Sequence, residues 1–393
     1  MTGTEAEAAA VAVASYPCQA LDLLFEVTEP AVMGDGVPVG NTVTTLEYIP
    51  GSALRGAMAA SWVASSGSPD ATFARLFESE VRFLDARVAR PEATSGWSRA
   101  KAVPMSWRRC KYASAHEPYE VRDLSQEPPS ASREPQLCAQ HIDKDKPCGG
   151  SWVAWSGWVQ PNGEEITVAT CDLTRTALGP DGTALESQLF TSSAIEPGQL
   201  FATRLVGPAD ALERLASAVW LDRGRELRVG RGRSVAGALE VRDVSLAPLG
   251  PSSDPDQLRT RLEESMERSG GFVPLYFASR VVLQDPSLFP EIAISSSRVV
   301  DGAEGGHPPP SYCGRTTVKG FNAAQGIPKN EDVALQAGSV VWWDAGHAED
   351  PVAAAAALET YGVGLRRVEG FGEVEVCTDL HRSARVASKV RPG

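Results

Sequence analysis

Arginine and glycine alternate in one segment of this 393-residue chain, a combination that can bind an anion without reacting with it. Between residues 222 and 242, six arginines accompany only three carboxylates. Glycines let backbone N–H groups approach an anion closely, and the guanidinium fork matches phosphate oxygens. Charge alone is equally typical of a solvated arginine surface, but the interleaved glycines favour a phosphate-binding loop.

Catalytic chemistry has no comparable set of residues in the sequence. The five histidines are scattered along the chain, and none has a partner at a useful spacing. Gly230-x-Gly232 is not followed by the third glycine of a dinucleotide-binding motif, and the Gly-Lys-Ser/Thr of a P-loop is absent. The sequence therefore predicts a binding protein and not an enzyme.

A group of cysteines and histidines could bind a metal ion. The predicted ligands are Cys110, Cys138, His141 and Cys148, with His116 as a competitor for the histidine position. Three thiolates and an imidazole suit tetrahedral Zn²⁺, which would be structural because four protein ligands leave no open coordination position. The alternative is a loop of unligated thiols, since the segment lacks a Cys-x-x-Cys pair.

The elements that would position these residues occur twice, in the same order. Each copy contains a strand-like segment, an alanine-rich helix, a loop of glycine and arginine, and a short alternating strand. Because one order of parts is used twice, the sequence predicts two related domains. The parts of the first and second copies are 194–201 and 334–341, 210–220 and 350–361, 224–237 and 362–372, and 238–241 and 373–376.

The sequence predicts an α+β fold with two domains, residues 17–246 and 272–393. A Pro/Gly/Ser run at 247–255 separates them. Within the first domain, residues 91–150 lose the regular apolar pattern, and they are predicted to form an insertion that contains the zinc site.

Two local patterns near the start of the first domain predict a strand and a helix. Leu21, Leu23 and Phe25 alternate with less apolar residues, which is typical of a strand with one buried face. Ser52 is expected to be a helix N-cap, where unpaired N–H groups attract a phosphate. Arg55 could close on the same phosphate; alternatively, Ser52 only caps the helix and Arg55 only pairs with a carboxylate.

The overall charge excludes an indiscriminate nucleic-acid coat. Lysine and arginine number 37 against 50 aspartates and glutamates, and the formal net charge is −13. Any nucleic-acid site must therefore be a local basic patch. Seven cysteines in a chain without a secretory signal predict reduced thiols and a cytoplasmic location, and no segment of the sequence looks long and apolar enough to span a membrane.

Residues 49–56, Ile-Pro-Gly-Ser-Ala-Leu-Arg-Gly, resemble the helix start of the RAMP superfamily of CRISPR effector proteins. The Gly/Arg loop before each final strand resembles the glycine-rich loops of that superfamily. Together with this duplication, residues 319–322 and 364–372 are most similar to the type III-D subunit that caps the 5′ end of the crRNA. The resemblance extends from Leu21 to Val376 and is thin only in the 91–150 insertion.

The resemblance implies two ferredoxin-like (RRM-like) domains and a non-catalytic subunit that binds the repeat-derived 5′ handle of a crRNA. The implied partners are the large polymerase/cyclase-like subunit and the backbone RAMP subunits of an antiviral type III interference complex. Phe321 is expected to stack on an unpaired base, although a lone Phe after Gly is more often a core residue. The predicted RNA-binding residues are Gly51, Ser52, Arg55, Arg228, Arg231, Arg233, Lys319, Phe321, Asn322, Arg366 and Arg367.

Other functions stay open from the sequence. A RAMP endoribonuclease would process guide RNA with His307 or His347 as general base, and a backbone subunit would cleave target RNA with Asp35. A different class is a scaffold whose acidic surface binds protein partners and whose arginines never contact RNA.

Overall fold

Alternating apolar residues form the first strand of the main sheet. Leu21, Leu23 and Phe25 are buried while the residues between them are partly exposed, so the predicted strand is confirmed. The computed structural model describes residues 18–34, 42–92, 96–116, 119–126, 137–143, 146–178, 180–181, 183–231, 236–247, 255–285, 287, 289–290, 310–322, 325–381 and 386–387.

Helices and strands both occur throughout the described residues. The α-helices are α1 (Gly51–Ser66), α2 (Ala71–Ala74), α3 (Ala209–Ala216), α4 (Pro255–Ser269) and α5 (Pro351–Tyr361). The strands are β1 (Cys18–Val27), β2 (Thr42–Val43), β3 (Arg82–Phe83), β4 (Arg87–Glu92), β5 (Gly96–Arg99), β6 (Lys101–Ala102), β7 (Trp107–Cys110), β8 (Tyr119–Asp123), β9 (His141–Asp143), β10 (Lys146–Pro147), β11 (Trp152–Val153), β12 (Trp158–Val159), β13 (Glu165–Ile166), β14 (Thr170–Leu178), β15 (Ala184–Ile195), β16 (Leu200–Pro208), β17 (Glu226–Arg228), β18 (Ala238–Ala247), β19 (Phe272–Phe277), β20 (Arg315–Val318), β21 (Phe321–Asn322), β22 (Ile327–Pro328), β23 (Asp332–Leu335), β24 (Val340–Asp344), β25 (Val374–Val376) and β26 (Val386–Ala387).

An antiparallel sheet organises the N-terminal half. Its strands lie in the order β17-β18-β1-β16-β4-β5, and β3 also pairs with β16. Along the chain, β1, α1, β3 with β4, β16, α3 and β18 follow one another in a β-α-β-β-α-β order. Leu54 of α1 and Leu212 of α3 join the buried side chains of β1 in one hydrophobic cluster. The α+β class predicted from the sequence is therefore confirmed.

The chain between β4 and β16 contains most of the predicted 91–150 insertion and contacts the C-terminal half. The described parts of residues 91–150 form short strands, of which β7 pairs with β8 and β11. Trp107 of β7 is buried in one cluster with Tyr276 and Val340 of the C-terminal half. Strand β26 pairs with β8. After this region, β14 and β15 form a long antiparallel hairpin.

The C-terminal half contains a three-stranded antiparallel sheet in the order β24-β19-β25. Leu258 of α4 and Ala355 of α5 are buried in the same cluster as the side chains of these strands. Between β19 and β24, the described residues form strands and turns and contain no α-helix. The helix that packs beside α5 is α4, and it precedes β19, the first strand of this sheet. In the N-terminal half, by contrast, the corresponding helix α1 follows the first strand, β1.

One turn has the same backbone hydrogen bond in both of the copies that the sequence predicts. The Gly198 N–H donates to the Val27 carbonyl, and the Gly338 N–H donates to the Phe277 carbonyl, both at 2.8 Å. These glycines have φ angles of 89° and 88°, in the left-handed region that favours glycine at a turn. The two halves therefore share one turn geometry ahead of β16 and β24.

The start of α1 differs from the prediction. The helix begins at Gly51 with Pro50 at the N-cap position, and Ser52 lies inside the first turn without capping it. The N-cap prediction for Ser52 was wrong because a proline, whose φ is fixed near the value required here, already occupies the cap position. Among the described helices, none combines the length and the apolar composition that a membrane span requires.

Candidate functional site

Both Gly/Arg loops close with the same backbone geometry. In the first loop the Val229 N–H donates to the Gly237 carbonyl at 2.9 Å, and in the second the Val363 N–H donates to the Gly372 carbonyl at 3.0 Å. The φ angles of Gly237 and Gly372 are 79° and 76°. A Cβ atom would lie 2.0 Å or 1.9 Å from the valine carbonyl oxygen, so only glycine fits either position.

The two loops also begin alike. Gly230 and Gly364 both have positive φ, and a Cβ atom at either position would lie 2.4 Å from a carbonyl oxygen of an adjoining segment. The N–H of the next residue, Arg231 or Leu365, donates to that same carbonyl. The duplicated sequences therefore fold into matched loops, in which Arg231 occupies the position of Leu365.

The second loop lies at the junction between the halves, and its first arginine is paired there. Arg366 forms ion pairs with Asp332 at 2.8 Å and with Glu369 at 2.7 Å. Its guanidinium carbon also lies 4.7 Å from the centroid of the Phe371 ring. Arg366 was predicted to bind RNA, and the structure gives its charge two partners within the chain.

The start of α1 contacts this second loop. A Cβ atom on Gly51 would lie 1.7 Å from the Phe83 carbonyl oxygen and 3.0 Å from the Glu369 carbonyl oxygen, so glycine permits a close approach. The Gly51 N–H donates to Oδ1 of Asp85 at 2.8 Å. Burial raises the pKa of Asp85 to about 6, although Arg280 and the Gly51 N–H favour the charged form. One donor of the helix start is thus satisfied by an internal carboxylate.

Arg55 also makes its contacts within the protein. It donates to the Phe77 carbonyl at 2.7 Å, and its guanidinium lies 3.9 Å from Oε1 of Glu369. Lys329 pairs with the same Glu369 oxygen at 2.7 Å. These contacts correspond to the predicted alternative in which Arg55 pairs with a carboxylate, while Ser52 beside it is partly exposed. Glu369 lies inside the second Gly/Arg loop, and a carboxylate at such a position is the sequence signal that could have identified this partner of Arg55.

Deeper in the junction, carboxylates of the second half neutralise basic side chains of the first. Glu373 pairs with Arg87 at 2.6 Å and also with Arg99. The Arg87 side chain is 1% exposed and that of Glu373 is 9% exposed. Burial acts to raise the pKa of Glu373, but Arg87, Arg99 and Arg82 together lower it to about 2. This cluster was missed from the sequence because no spacing pattern links its members.

The first loop presents an exposed arginine. Arg231 has no carboxylate partner within the described part of the chain. Arg228, at the end of β17, instead pairs with Glu29. Arg233 lies outside the described residues. In the second loop, Arg367 is also exposed, and it has no carboxylate partner among the described residues.

The predicted Lys319–Asn322 segment lies between β20 and β23. Lys319 pairs with Glu331 at 2.8 Å, and the Asn322 side-chain amide donates to Gln325 at 2.9 Å. Phe321 is 63% exposed. The alternative that Phe321 is a core residue was therefore wrong.

Four side chains of the insertion form a cluster with the donor set of a zinc site. Ligand atoms of Cys110, His116, Cys138 and Cys148 all lie within 4.8 Å of one another. The Cys110 and Cys148 sulfurs are 3.5 Å apart, and Cys138 Sγ lies 3.9 Å from His116 Nε2. Three thiolates and one imidazole are the donors of a common tetrahedral Zn²⁺ site. The buried cluster could therefore hold a metal ion.

Close backbone packing brings this cluster together. A Cβ atom on Gly150 would lie 2.7 Å from Cys110 Sγ and 3.1 Å from Cys148 Sγ, so glycine makes room for both sulfurs. The histidine that joins the three predicted cysteines is His116, which was the competing ligand in the sequence. The side chain of His141 lies outside the described residues.

One histidine has a partner that the sequence did not reveal. His381 Nδ1 lies 2.6 Å from Asp123 Oδ2 and 3.2 Å from Ser125 Oγ. Trp107 Nε1 also donates to Asp123, at 3.0 Å, and all four side chains are buried. Because this group is buried, it is not accessible to RNA. The contact between Asp123 and His381 connects the insertion to the C-terminal half. Asp35, His307 and the side chain of His347 lie outside the described residues.

Several solved structures contain a chain that is similar to this one. A chain of Cmr-beta bound to cognate target RNA and AMPPnP is 11% identical, with a TM-score of 0.41, covering 82% of this chain and 86% of that chain. A second chain, from Cmr-beta bound to cognate target RNA, is 13% identical, with a TM-score of 0.33. The match covers 57% of this chain and 96% of that chain. Oligomeric Cmr4 from Pyrococcus furiosus is 10% identical, with a TM-score of 0.27, covering 58% and 98%.

Sequence comparison gives a more direct assignment. No curated protein matches the chain. The family described as the RAMP superfamily matches residues 24–235, which is more than half of the chain. This match includes the end of β1, the start of α1 and most of the first Gly/Arg loop. The chain belongs to the RAMP superfamily.

Proposed function

We propose that this protein is a non-catalytic subunit of a type III (III-D-like) CRISPR-Cas interference complex and binds the 5′ handle of the crRNA. Membership of the RAMP superfamily supports this class of function. The observation that carries the proposal is the pair of matched glycine loops, of which the first leaves Arg231 exposed and, within the described residues, without a carboxylate partner. A guanidinium on a glycine-supported loop is suited to bind a sugar-phosphate backbone.

The contacts of the predicted residues rank them as RNA ligands. Arg231, Arg233, Arg367 and Phe321 are proposed to contact the handle first, because the three that are described are exposed. The other predicted cations already have a carboxylate nearby, and a phosphate would have to displace it before binding. These cations are Arg55, Arg228, Lys319 and Arg366.

The proposal includes two ferredoxin-like (RRM-like) domains. The sheet order β18-β1-β16-β4, reached through a β-α-β-β-α-β chain order, supports this architecture for the first half. The β24-β19-β25 sheet, the following helix α5 and the matched loop support it for the second. The proposed partners are the crRNA handle, the large polymerase/cyclase-like subunit and the backbone RAMP subunits, all in the cytoplasm.

Replacing both arginines of the first loop tests the RNA site. For single-stranded RNA, each phosphate contact contributes about 0.7 to the slope of log affinity against log salt concentration. The Arg231→Ala, Arg233→Ala double variant should therefore bind a handle RNA more weakly, with a slope shallower by about 1.4. Filter binding over a salt series measures both quantities.

Arg242→Ala is the matched control for this experiment. Arg242 belongs to the same basic segment, but it pairs with Glu26 at 2.6 Å and with Glu240 at 2.5 Å. Its removal should leave the salt slope unchanged. If the double variant keeps the affinity and slope of the wild type, the first loop does not bind the handle.

The absence of catalysis needs its own test. The pure chain is incubated with labelled repeat RNA, and then with guide-bound target RNA, with and without Mg²⁺. We expect both RNAs to stay intact. Cleavage that disappears in a His307→Ala, His347→Ala or Asp35→Ala variant would establish an endoribonuclease in place of a binding subunit.

We also propose that the cysteine and histidine cluster binds a structural Zn²⁺ ion. Cys110, His116, Cys138 and Cys148 would supply four ligands, which leaves no position for a substrate. The ion would connect β7 to the segment that contains Cys138 and Cys148. Metal analysis of the purified protein should find one zinc ion per chain, and a content well below one would exclude the site.

A further inference from the structure

An open cleft of about 600 Å³ lies between the insertion and the C-terminal half. Cavities of this size commonly hold small organic ligands. Trp155 and Tyr312 contribute aromatic rings to its lining, Arg108 contributes a cation, and Ser156 and Ser311 contribute hydroxyl groups. None of these residues belongs to the glycine loops or to the cysteine cluster, so the cleft is a separate site.

Trp155 is held in place by neighbours on the insertion. Its ring centroid lies 6.0 Å from that of Trp107, which is buried and hydrogen-bonded to Asp123. The guanidinium carbon of Arg109 lies 5.2 Å from the Trp155 ring centroid, and Arg109 is itself 3.4 Å from Glu165. An aromatic ring fixed in this way loses little conformational freedom when a ligand binds.

Tyr312 is fixed on the other side of the junction. Its backbone N–H and carbonyl pair with Val340 at 2.8 Å and 2.9 Å, and its hydroxyl donates to the Leu124 carbonyl at 3.3 Å. The guanidinium carbon of Arg108 lies 5.8 Å from the Tyr312 ring centroid. Arg108 donates to the Met105 carbonyl at 2.7 Å and, in the part of the chain that the structure describes, has no carboxylate partner.

We infer that this cleft binds an unpaired nucleobase together with its flanking phosphate. Aromatic side chains stack on any base, because every base has a flat π-face, and an arginine beside them pairs with the phosphate. The hydroxyls of Ser156 and Ser311 can form hydrogen bonds with the edge of the base or with the ribose. Bases inside a duplex are already stacked, so the ligand is single-stranded.

If the base belongs to a bound RNA, this inference rests on the proposed function. A free mononucleotide offers the same chemistry, so both sources are tested. The probes are a single-stranded RNA octamer that carries one 2-aminopurine and free 2-aminopurine riboside 5′-monophosphate. Stacking on an aromatic ring quenches 2-aminopurine fluorescence, which gives both the binding curve and a report on the stacked base.

Trp155→Ala and Tyr312→Ala should each weaken binding of the octamer about tenfold and remove most of the quenching. Tyr312→Phe keeps the ring and should retain both. Phe289→Ala is the control, since Phe289 is an aromatic residue that is 67% exposed and does not line the cleft. Circular dichroism and thermal melting confirm that each variant is folded, and Tyr312→Ala still tests the cleft if loss of Trp155 disrupts packing against Trp107.

The outcomes separate the cleft from the proposed function. If the octamer binds the wild type but neither cleft variant changes affinity or quenching, the cleft inference is wrong and the proposed function stands. If only the mononucleotide binds, and the two rings are needed for it, the cleft holds a free nucleotide and the RNA-binding function is wrong. If neither probe binds, both proposals are wrong.

Discussion

Replacing Glu373 with glutamine tests whether buried charge pairs hold the two halves together. The substitution keeps the shape of the side chain but removes the negative charge that lies 2.6 Å from Arg87 and also pairs with Arg99. Arg87 is almost completely buried, so water cannot replace the lost partner. Removing one partner of a buried pair costs about 3–5 kcal/mol, and we expect Glu373→Gln to lower the free energy of unfolding by that amount.

The pKa of Glu373 gives an independent value for the same quantity. Burial opposes ionisation, but the neighbouring arginines Arg87, Arg99 and Arg82 lower the pKa to about 2 from an ordinary 4.5. Each unit of difference is worth about 1.4 kcal/mol, which amounts to about 3 kcal/mol. Because the folded-state pKa is the lower one, this stabilisation is complete above pH 4.5 and is lost as the pH falls from 4.5 towards 2.

Urea denaturation, followed by tryptophan fluorescence, measures both effects. The stability difference between the wild type and Glu373→Gln should be largest at neutral pH and should shrink as the pH falls below 4.5. Glu80→Gln is the control, because Glu80 also pairs with an arginine, Arg75, but both side chains are largely or partly exposed. A Glu373→Gln variant as stable as the wild type at neutral pH, or a difference that persists near pH 2, would refute this reasoning.

Other parts of the molecule allow three further predictions. Burial raises the pKa of Asp85 to about 6 from an ordinary 3.8, so its ionisation lowers stability as the pH rises from 3.8 to 6; Asp85→Asn should melt at a higher temperature than the wild type at pH 8, and the gain should vanish by pH 4. Gly237→Ala should lower both the melting temperature and the RNA affinity, because its Cβ would lie 2.0 Å from a backbone oxygen, whereas Gly224→Ala, at φ 83° in open space, should cost only about 1–2 kcal/mol and leave RNA affinity unchanged; equal effects would count against the loop geometry. His116→Ala should reduce bound zinc in metal analysis while His141→Ala retains it, and the reverse result would return the ligand role to His141.

The features that could be predicted from the sequence depend on residues close together in the chain. The buried face of β1 follows from simple alternation, and the first and second copies of the turn-helix-loop order were visible as local patterns. Pro351 lies at the start of α5, where proline is favoured, and Asp350 before it caps the helix by accepting from Val352 and Ala353, so this helix start also depends on neighbouring residues.

Features that depend on distant residues could not be predicted. Glu373 lies 286 residues from Arg87, and ion pairing leaves no periodic signal in either segment. The cysteine cluster shows the same limit, because the sequence predicted His141 as the fourth ligand, whereas the folded insertion brings His116 to the three sulfurs. The predicted arginine contacts with RNA depend on which carboxylates the fold places beside each guanidinium. Among the described arginines of the two loops, Arg225, Arg231 and Arg367 are exposed and have no carboxylate partner in the described residues.

The charged junction also determines how this protein can be recombined with its relatives. Arg87 and Arg99 on one side depend on Glu373 from the other, so either half produced separately would carry uncompensated ions on a face evolved to be dry. A chimera that takes its second half from another superfamily member would inherit foreign counter-ions along this seam. Functional hybrids should therefore require both faces to be transplanted together.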